Sequence, residues 1–156
     1  MRRILIILFV ALFIAVHLLA QDQSPAKVDQ AAIVVSVQKA AVRAVNFRQG
    51  DIAGLTQVRA DFTDEGWKDF MKHMEGFLDQ KGAPTFTSSF VPSKDAVVVG
   101  QEYGVVHLRI PGTLKQSQNQ SSTTYRAALE VYVGGKPMKI QRLEQITCAG
   151  GSTACQ

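Results

Sequence analysis

Residues 61–70 read DFTDEGWKDF, and the fold turns on how this stretch is understood. It gathers Asp61, Asp64, Glu65 and Asp69 around Trp67, the only tryptophan of the chain. Acids this close together can form a general acid/base pair, or they can open a helix. Thr63 stands just before an apolar stripe, where its hydroxyl can take an orphan N–H of the first turn as an N-cap. Asp64 and Glu65 then fall where the helix dipole favours negative charge. Asp64 also precedes Lys68 by one helical turn, the favourable order for an ion pair. Trp67, Phe70, Met71, Met74, Phe77 and Leu78 follow at helical period, the strongest pattern in the sequence. The stretch therefore predicts a helix that Gly82 and Pro84 end, with Trp67 and Phe70 as core anchors. Gly66, which costs about 1 kcal/mol relative to alanine inside a helix, predicts a neighbouring backbone too close to admit a side chain. The catalytic alternative makes Asp61 or Asp64 a general base whose pKa is raised by an apolar pocket. No second catalytic partner lies beside either of them in the sequence.

Upstream, Ser24 and Pro25 predict a cap and first helical residue. Ile33, Val37, Ala41 and Val45 then recur every four residues, giving a helix that ends near Phe47. A shorter helix is predicted over 51–59, with Ile52, Leu55 and Val58 on one face. After Pro84 the grammar changes to strands: TFTSSFV, AVVVGQEYGVVHLRI, TTYRAALEVYV and KIQRLEQIT are rich in β-branched and aromatic residues. KQSQNQSS reads as a flexible hairpin tip, GGKP as a turn, and GQEYG as a turn with an exposed Tyr103. Helices followed by strands predict an α+β domain, with the helices packed on one face of a curved antiparallel sheet of about four strands.

The chain has 156 residues. It opens MRRILIILFVALFIAVHLLA, with two arginines, an apolar run over 4–20 and small Ala20 before QDQS. This predicts export by a signal peptide cleaved after Ala20, or by an uncleaved inner-membrane anchor. Leu18 is bulky where a cleavage site prefers a small residue. In either case Arg2 and Arg3 hold the N-terminus in the cytoplasm. The predicted organisation is then a signal or anchor at 1–20, a linker at 21–29, a periplasmic α+β domain at 30–148 and a Gly/Ser-rich tail at 149–156. After Ala20, 15 of the 17 Lys/Arg stand against all 13 Asp/Glu, a balance of +2. With no basic run, nucleic acid is excluded as a partner. Cys148 and Cys155 bracket CAGGSTAC; with a Gly-rich spacer and no His nearby, they predict a local disulfide worth about 2.5 kcal/mol, not a metal site.

Other chemistry is thinly represented. His73 falls on the polar side of the third helix, and His107 stands alone in a strand. Met71 and Met74 belong to the apolar stripe. No nucleophile elbow, phosphate loop or HExxH occurs. The expected sets of catalytic, cofactor-binding and metal residues are therefore empty.

The order of these segments resembles the DotI/IcmL/TraM family of type IVB secretion and conjugation systems. The resemblance rests on Asn46 and Phe47 at the end of the first helix, and on the Phe-Thr…Gly-Trp-x-x-Phe pattern of Phe62, Thr63, Gly66, Trp67 and Phe70. The rhythm of SSFVPSKDAVVVGQEYGVVHLRIPGTL and YRAALEVYV agrees as well, so the match spans about 30–148. It implies a VirB-like periplasmic domain, a cone of helices on a curved sheet shared with nuclear transport factor folds. It also implies a non-enzymatic inner-membrane assembly part, without cofactors, that packs with itself or with other envelope proteins. The competing reading is a soluble exported small-molecule binding protein or enzyme, in which Asp61, Tyr103 or His107 would face an apolar cone interior.

Overall fold

The computed structural model describes residues 30–78, 86–148 and 155. The apolar segment 4–20, the linker with Ser24 and Pro25, the helix stop at Gly82 and Pro84, and the side chains of Phe77 and Leu78 lie outside the described residues, as does most of the tail. Among the described residues no helix is long and apolar enough to cross a membrane.

Three helices precede and cover an antiparallel sheet. They are α1 (Gln30–Val45), α2 (Ile52–Val58) and α3 (Asp64–Leu78), with a 3-10 turn, Arg59–Asp61, leading into α3. The strands are β1 (Phe47–Arg48), β2 (Phe86–Pro92), β3 (Val97–Glu102), β4 (Val105–Gln118), β5 (Ser121–Gly134) and β6 (Lys139–Thr147). The sheet runs β1-β2-β4-β5-β6, with β3 on β4 beyond the end of β2. β2 takes Gly112–Gln118 and β3 takes Val105–Arg109 of the same edge of β4, so the two lie end to end along it. The sheet is curled into a half-barrel with the helices on its inner face.

Six strands stand where the sequence marks about four, for two reasons. Residues 96–110 are a hairpin folded at Tyr103 and Gly104, both at positive φ, 49° and 77°, the geometry of a two-residue hairpin loop. The first helix stops at Val45, two residues early, because Phe47 and Arg48 pair with Ser88 and Thr87. The polar run 115–122 is mostly strand, not loop: Ser117 faces Ser122, and only the tip, with Asn119 at φ 56°, leaves the ladder.

Burial explains the layering. On β4 and β5, Leu108, Ile110, Leu114, Leu129, Val131 and Val133 are fully buried against the helices. From α1, Val37, Ala40, Ala41, Ala44 and Val45 meet them; the small alanines let the helix axis approach the sheet closely. Leu55 and Val58 do the same from α2, and Phe62, Phe70 and Met74 from the next segment. Asp51 caps α2, its Oδ1 accepting from Gly54 N at 2.9 Å.

Candidate functional site

The decapeptide at 61–70 is bound to strand β6. Thr63 N donates to Ile140 O at 2.9 Å, and Phe62 forms a parallel bridge with Ile140. The hydroxyl of Thr63 then accepts from Gly66 N at 3.1 Å, satisfying one of the open N–H groups of α3. Gly66 sits where a methyl group would lie 2.6 Å from the carbonyl oxygens of both Ile140 and Gln141. Only a residue without a side chain lets α3 abut this edge of the sheet. Around the contact, Phe62 is fully buried, with Trp67 and Phe70 at ring-centroid distances of 5.6 and 5.2 Å. The Arg59 guanidinium lies 5.8 Å over the Trp67 ring.

Two acids of the segment are occupied elsewhere, while Asp69 lines a cleft. Asp61 is paired with Arg43 at 3.0 Å, and Asp64 with Arg59. Neither lines the cleft that lies beneath the middle of α3, between β6 and β1–β2, with a volume of about 830 Å³. Phe47, Phe70, Met74 and Phe86 form the apolar part of its walls. Ser88, Gln116 and His73 supply polar groups, and Asp69, Arg142 and Glu144 supply charge. Glu144, through a hydrogen bond and its charge, holds the Arg142 guanidinium above its usual pKa range. Asp61, Tyr103 and His107, the three polar residues expected in a cone interior, all lie off this cleft; Tyr103 is 97 % exposed at the hairpin loop. Phe47 lines it and packs on Phe86 at 5.8 Å.

The outer face of the sheet carries a polar cluster that the sequence did not single out. Glu130 is a buried carboxylate, 2 % exposed. It accepts from Arg109 Nε at 2.5 Å and bonds His107 Nε2. The next row across the sheet stacks His107 on Tyr132, centroids 4.3 Å apart, with Arg142 5.6 Å over the same Tyr132 ring. Register alone brings these residues together: Arg109 faces Glu130, His107 faces Tyr132 and Tyr132 faces Arg142. Glu130 inside the strand run AALEVYV was the available signal, but its partners emerge only once β4 and β5 are aligned. Among the described residues, no group of three or more His, Cys, Asp or Glu side chains could hold a metal ion.

Cys148 and Cys155 are joined in a disulfide. Arg126, on β5, donates to Cys155 O at 3.2 Å, and Cys148 N donates to Arg126 O at 2.9 Å. The C-terminal end of the chain is thereby fastened to the sheet.

No protein-family model matches the sequence, and neither does any curated protein. Solved structures do match in shape. The periplasmic domain of DotI superimposes with a TM-score of 0.62 at 15 % identity, covering 80 % of this chain and 99 % of that one. The chain has the fold of that domain. An IcmL-like type IV secretion system protein from Legionella pneumophila matches with a TM-score of 0.60 at 11 % identity, over 80 % of this chain and 97 % of its own. CagV, a VirB8 homologue of the type IV secretion system of Helicobacter pylori, matches at 0.55 and 9 % identity, over 76 % of this chain and 99 % of its own. The helices on a curled sheet found here are thus an architecture common to several type IV secretion proteins.

Proposed function

We propose that this chain is a non-enzymatic, exported structural and interaction domain that serves as an inner-membrane assembly component of a type IV secretion or conjugation apparatus. Residues 4–20 carry the export signal or anchor, 21–29 the linker and 30–148 the periplasmic domain. Its partners are copies of itself, other envelope proteins, or both. The observation that carries this reading is the near-complete coverage, 97–99 %, of the solved secretion-system chains by this fold. The pairing of Asp61 with Arg43 and of Asp64 with Arg59, around a docked helix, is consistent with it. In this reading Thr63, Gly66, Trp67, Phe70 and Phe47 are structural residues that fix the helices on the sheet.

The test is to fractionate cells expressing the full chain and measure its intact mass and native size. Full-length protein in the membrane fraction, migrating as a complex larger than one chain, is the expected result. A soluble monomer beginning at Gln21 would overturn the assembly reading.

The cleft of about 830 Å³ favours a second reading, a small-molecule binding domain, because its size and its mixed apolar and polar lining suit a drug-sized ligand. Its discriminating measurement is a thermal-shift screen of wild type against Phe70→Ser. Stabilisation by a compound in wild type alone would support ligand binding there.

A further inference from the structure

One edge of the sheet is closed by the chain itself, position by position, and then left open. Gln49 bonds both main-chain groups of Phe86, at 2.8 and 2.9 Å. β1 takes Thr87 and Ser88. Asn46 then acts as a surrogate strand residue, its Oδ1 accepting from Phe90 N at 2.5 Å and its amide donating to Phe90 O at 3.4 Å. Gln38 accepts from Ala96 N at 2.8 Å. Beyond Ala96, among the described residues, nothing bonds the outer edge of β3. Three valines stand on that strand, Val97, Val98 and Val99, exposed by 50, 50 and 41 %. The usual protections of an edge, a lysine or proline within the strand, are missing. The loop at its end carries Tyr103 at φ 49°, a conformation costly for a tyrosine, with its ring almost wholly in solvent.

We propose that the outer edge of β3 is the surface through which two copies of this chain join, by antiparallel pairing of β3 with β3 about a two-fold axis. The proposal rests on the assembly reading above and names the surface it uses. Charge selects the second copy and the direction of pairing. Lys94 precedes the strand and Glu102 ends it, and neither has an ion-pair partner among the described residues. Antiparallel pairing brings Lys94 of each copy to Glu102 of the other, whereas parallel pairing sets Glu102 beside Glu102. The register that matches them puts Val98 at the axis and leaves only uncharged residues between Ala96 and Gln101. The irregularity between Val98 and Gly100 bends the strand near that axis, which opposes extension into a flat sheet. A two-fold contact also consumes both edges and stops at a dimer. Strands this short bury less than the roughly 800 Å² per partner of a stable interface, so the pairing is weak in dilute solution.

The experiment places single cysteines at Val97, Val98, Val99 and, as an exposed control on β2, Val91 in the full chain. The variants are expressed in a bacterial envelope and oxidised mildly. Residues paired near the axis have Cα atoms about 4.5–5.5 Å apart, within disulfide reach. The expected result is a covalent dimer peaking at Val98→Cys, several-fold above Val91→Cys. Equal yields at all four positions, or a cross-linked product whose mass is not twice the chain, would overturn the proposal. Val98→Lys should abolish the native dimer while leaving thermal unfolding within a few degrees of wild type; a persistent dimer would count against it. If every cysteine variant stays monomeric while wild type still migrates as a larger complex, edge pairing fails and the assembly reading stands. If wild type is monomeric as well, both fail.

Discussion

The two faces of strands β4 and β5 solve the same problem with different chemistry. Leu108, Ile110, Leu129 and Val131 point toward the helices and are fully buried. Their neighbours His107, Arg109, Glu130 and Tyr132 point the other way and form a bonded and stacked polar cluster. The inner face draws its stability from apolar area, at about 25 cal/mol per Å² removed from water. On the outer face a carboxylate has been buried and must be matched. Attraction there largely offsets desolvation, so the cluster gives orientation more than net stability. The difference predicts how each face responds to loss of a side chain.

The largest effect belongs to the inner face. Phe62→Ala removes a fully buried ring that touches Trp67 and Phe70, at the point where α3 meets β6. It should cost about 3–5 kcal/mol of unfolding free energy by denaturant titration. A loss below 1 kcal/mol would mean that the docking segment does not support the core. On the outer face, Glu130→Ala strands Arg109 and His107, but these are 31 and 26 % exposed and can rehydrate. The expected loss is about 2 kcal/mol, below the 3–5 kcal/mol of a fully buried broken pair. A double-mutant cycle with Arg109→Ala should recover part of it as coupling, and additive losses would show that the pair contributes nothing as a pair.

The inner face was far more legible in the sequence than the outer one. Helical spacing from Trp67 to Met74 and β-branched runs after Pro84 gave the layers, because burial against a single cover imposes a period that survives in one dimension. Asn46 was legible only as part of the family-like pattern at the end of the first helix; its work as a plug on the Phe90 main chain depends on a contact 44 residues away. Glu130 was silent for the same reason. Its partners stand 21 and 23 residues earlier, across a ladder whose register had not been fixed. The cleft, too, escaped, since Phe47, Ser88, Gln116 and Arg142 come from four separate strands. Asp61, Tyr103 and His107 looked eligible for it only because they are polar residues near apolar ones.

Gly66 gives a sharper test of the docking geometry, because two effects oppose each other with known signs. In an exposed helix, Gly→Ala stabilises by about 1 kcal/mol. Here the added methyl would meet two main-chain carbonyl oxygens at 2.6 Å, and backbone cannot yield as a flexible side chain would. Displacing packed structure costs about 1–3 kcal/mol, so Gly66→Ala should destabilise by about 1–2 kcal/mol net. A stabilised variant would show that α3 does not abut β6 this closely.

The smallest predicted change returns to the acids of the decapeptide and separates chemistry from architecture. Asp64 is 87 % exposed as a side chain and is paired with Arg59 at the start of α3. An exposed pair contributes about 0.2–1 kcal/mol, and the favourable placement near a helix N-terminus about 0.3–1 kcal/mol. Asp64→Asn keeps the shape and some hydrogen bonding, so its expected cost is about 0.5 kcal/mol in low salt, fading as added salt screens both terms. Asp61→Asn, which weakens the bond to Arg43, should behave alike. If either carboxylate served as a general base, its replacement would instead leave stability unchanged while abolishing a measurable turnover. The salt dependence of a small stability loss, read for both variants beside Phe62→Ala, therefore tells a helix start from a catalytic site.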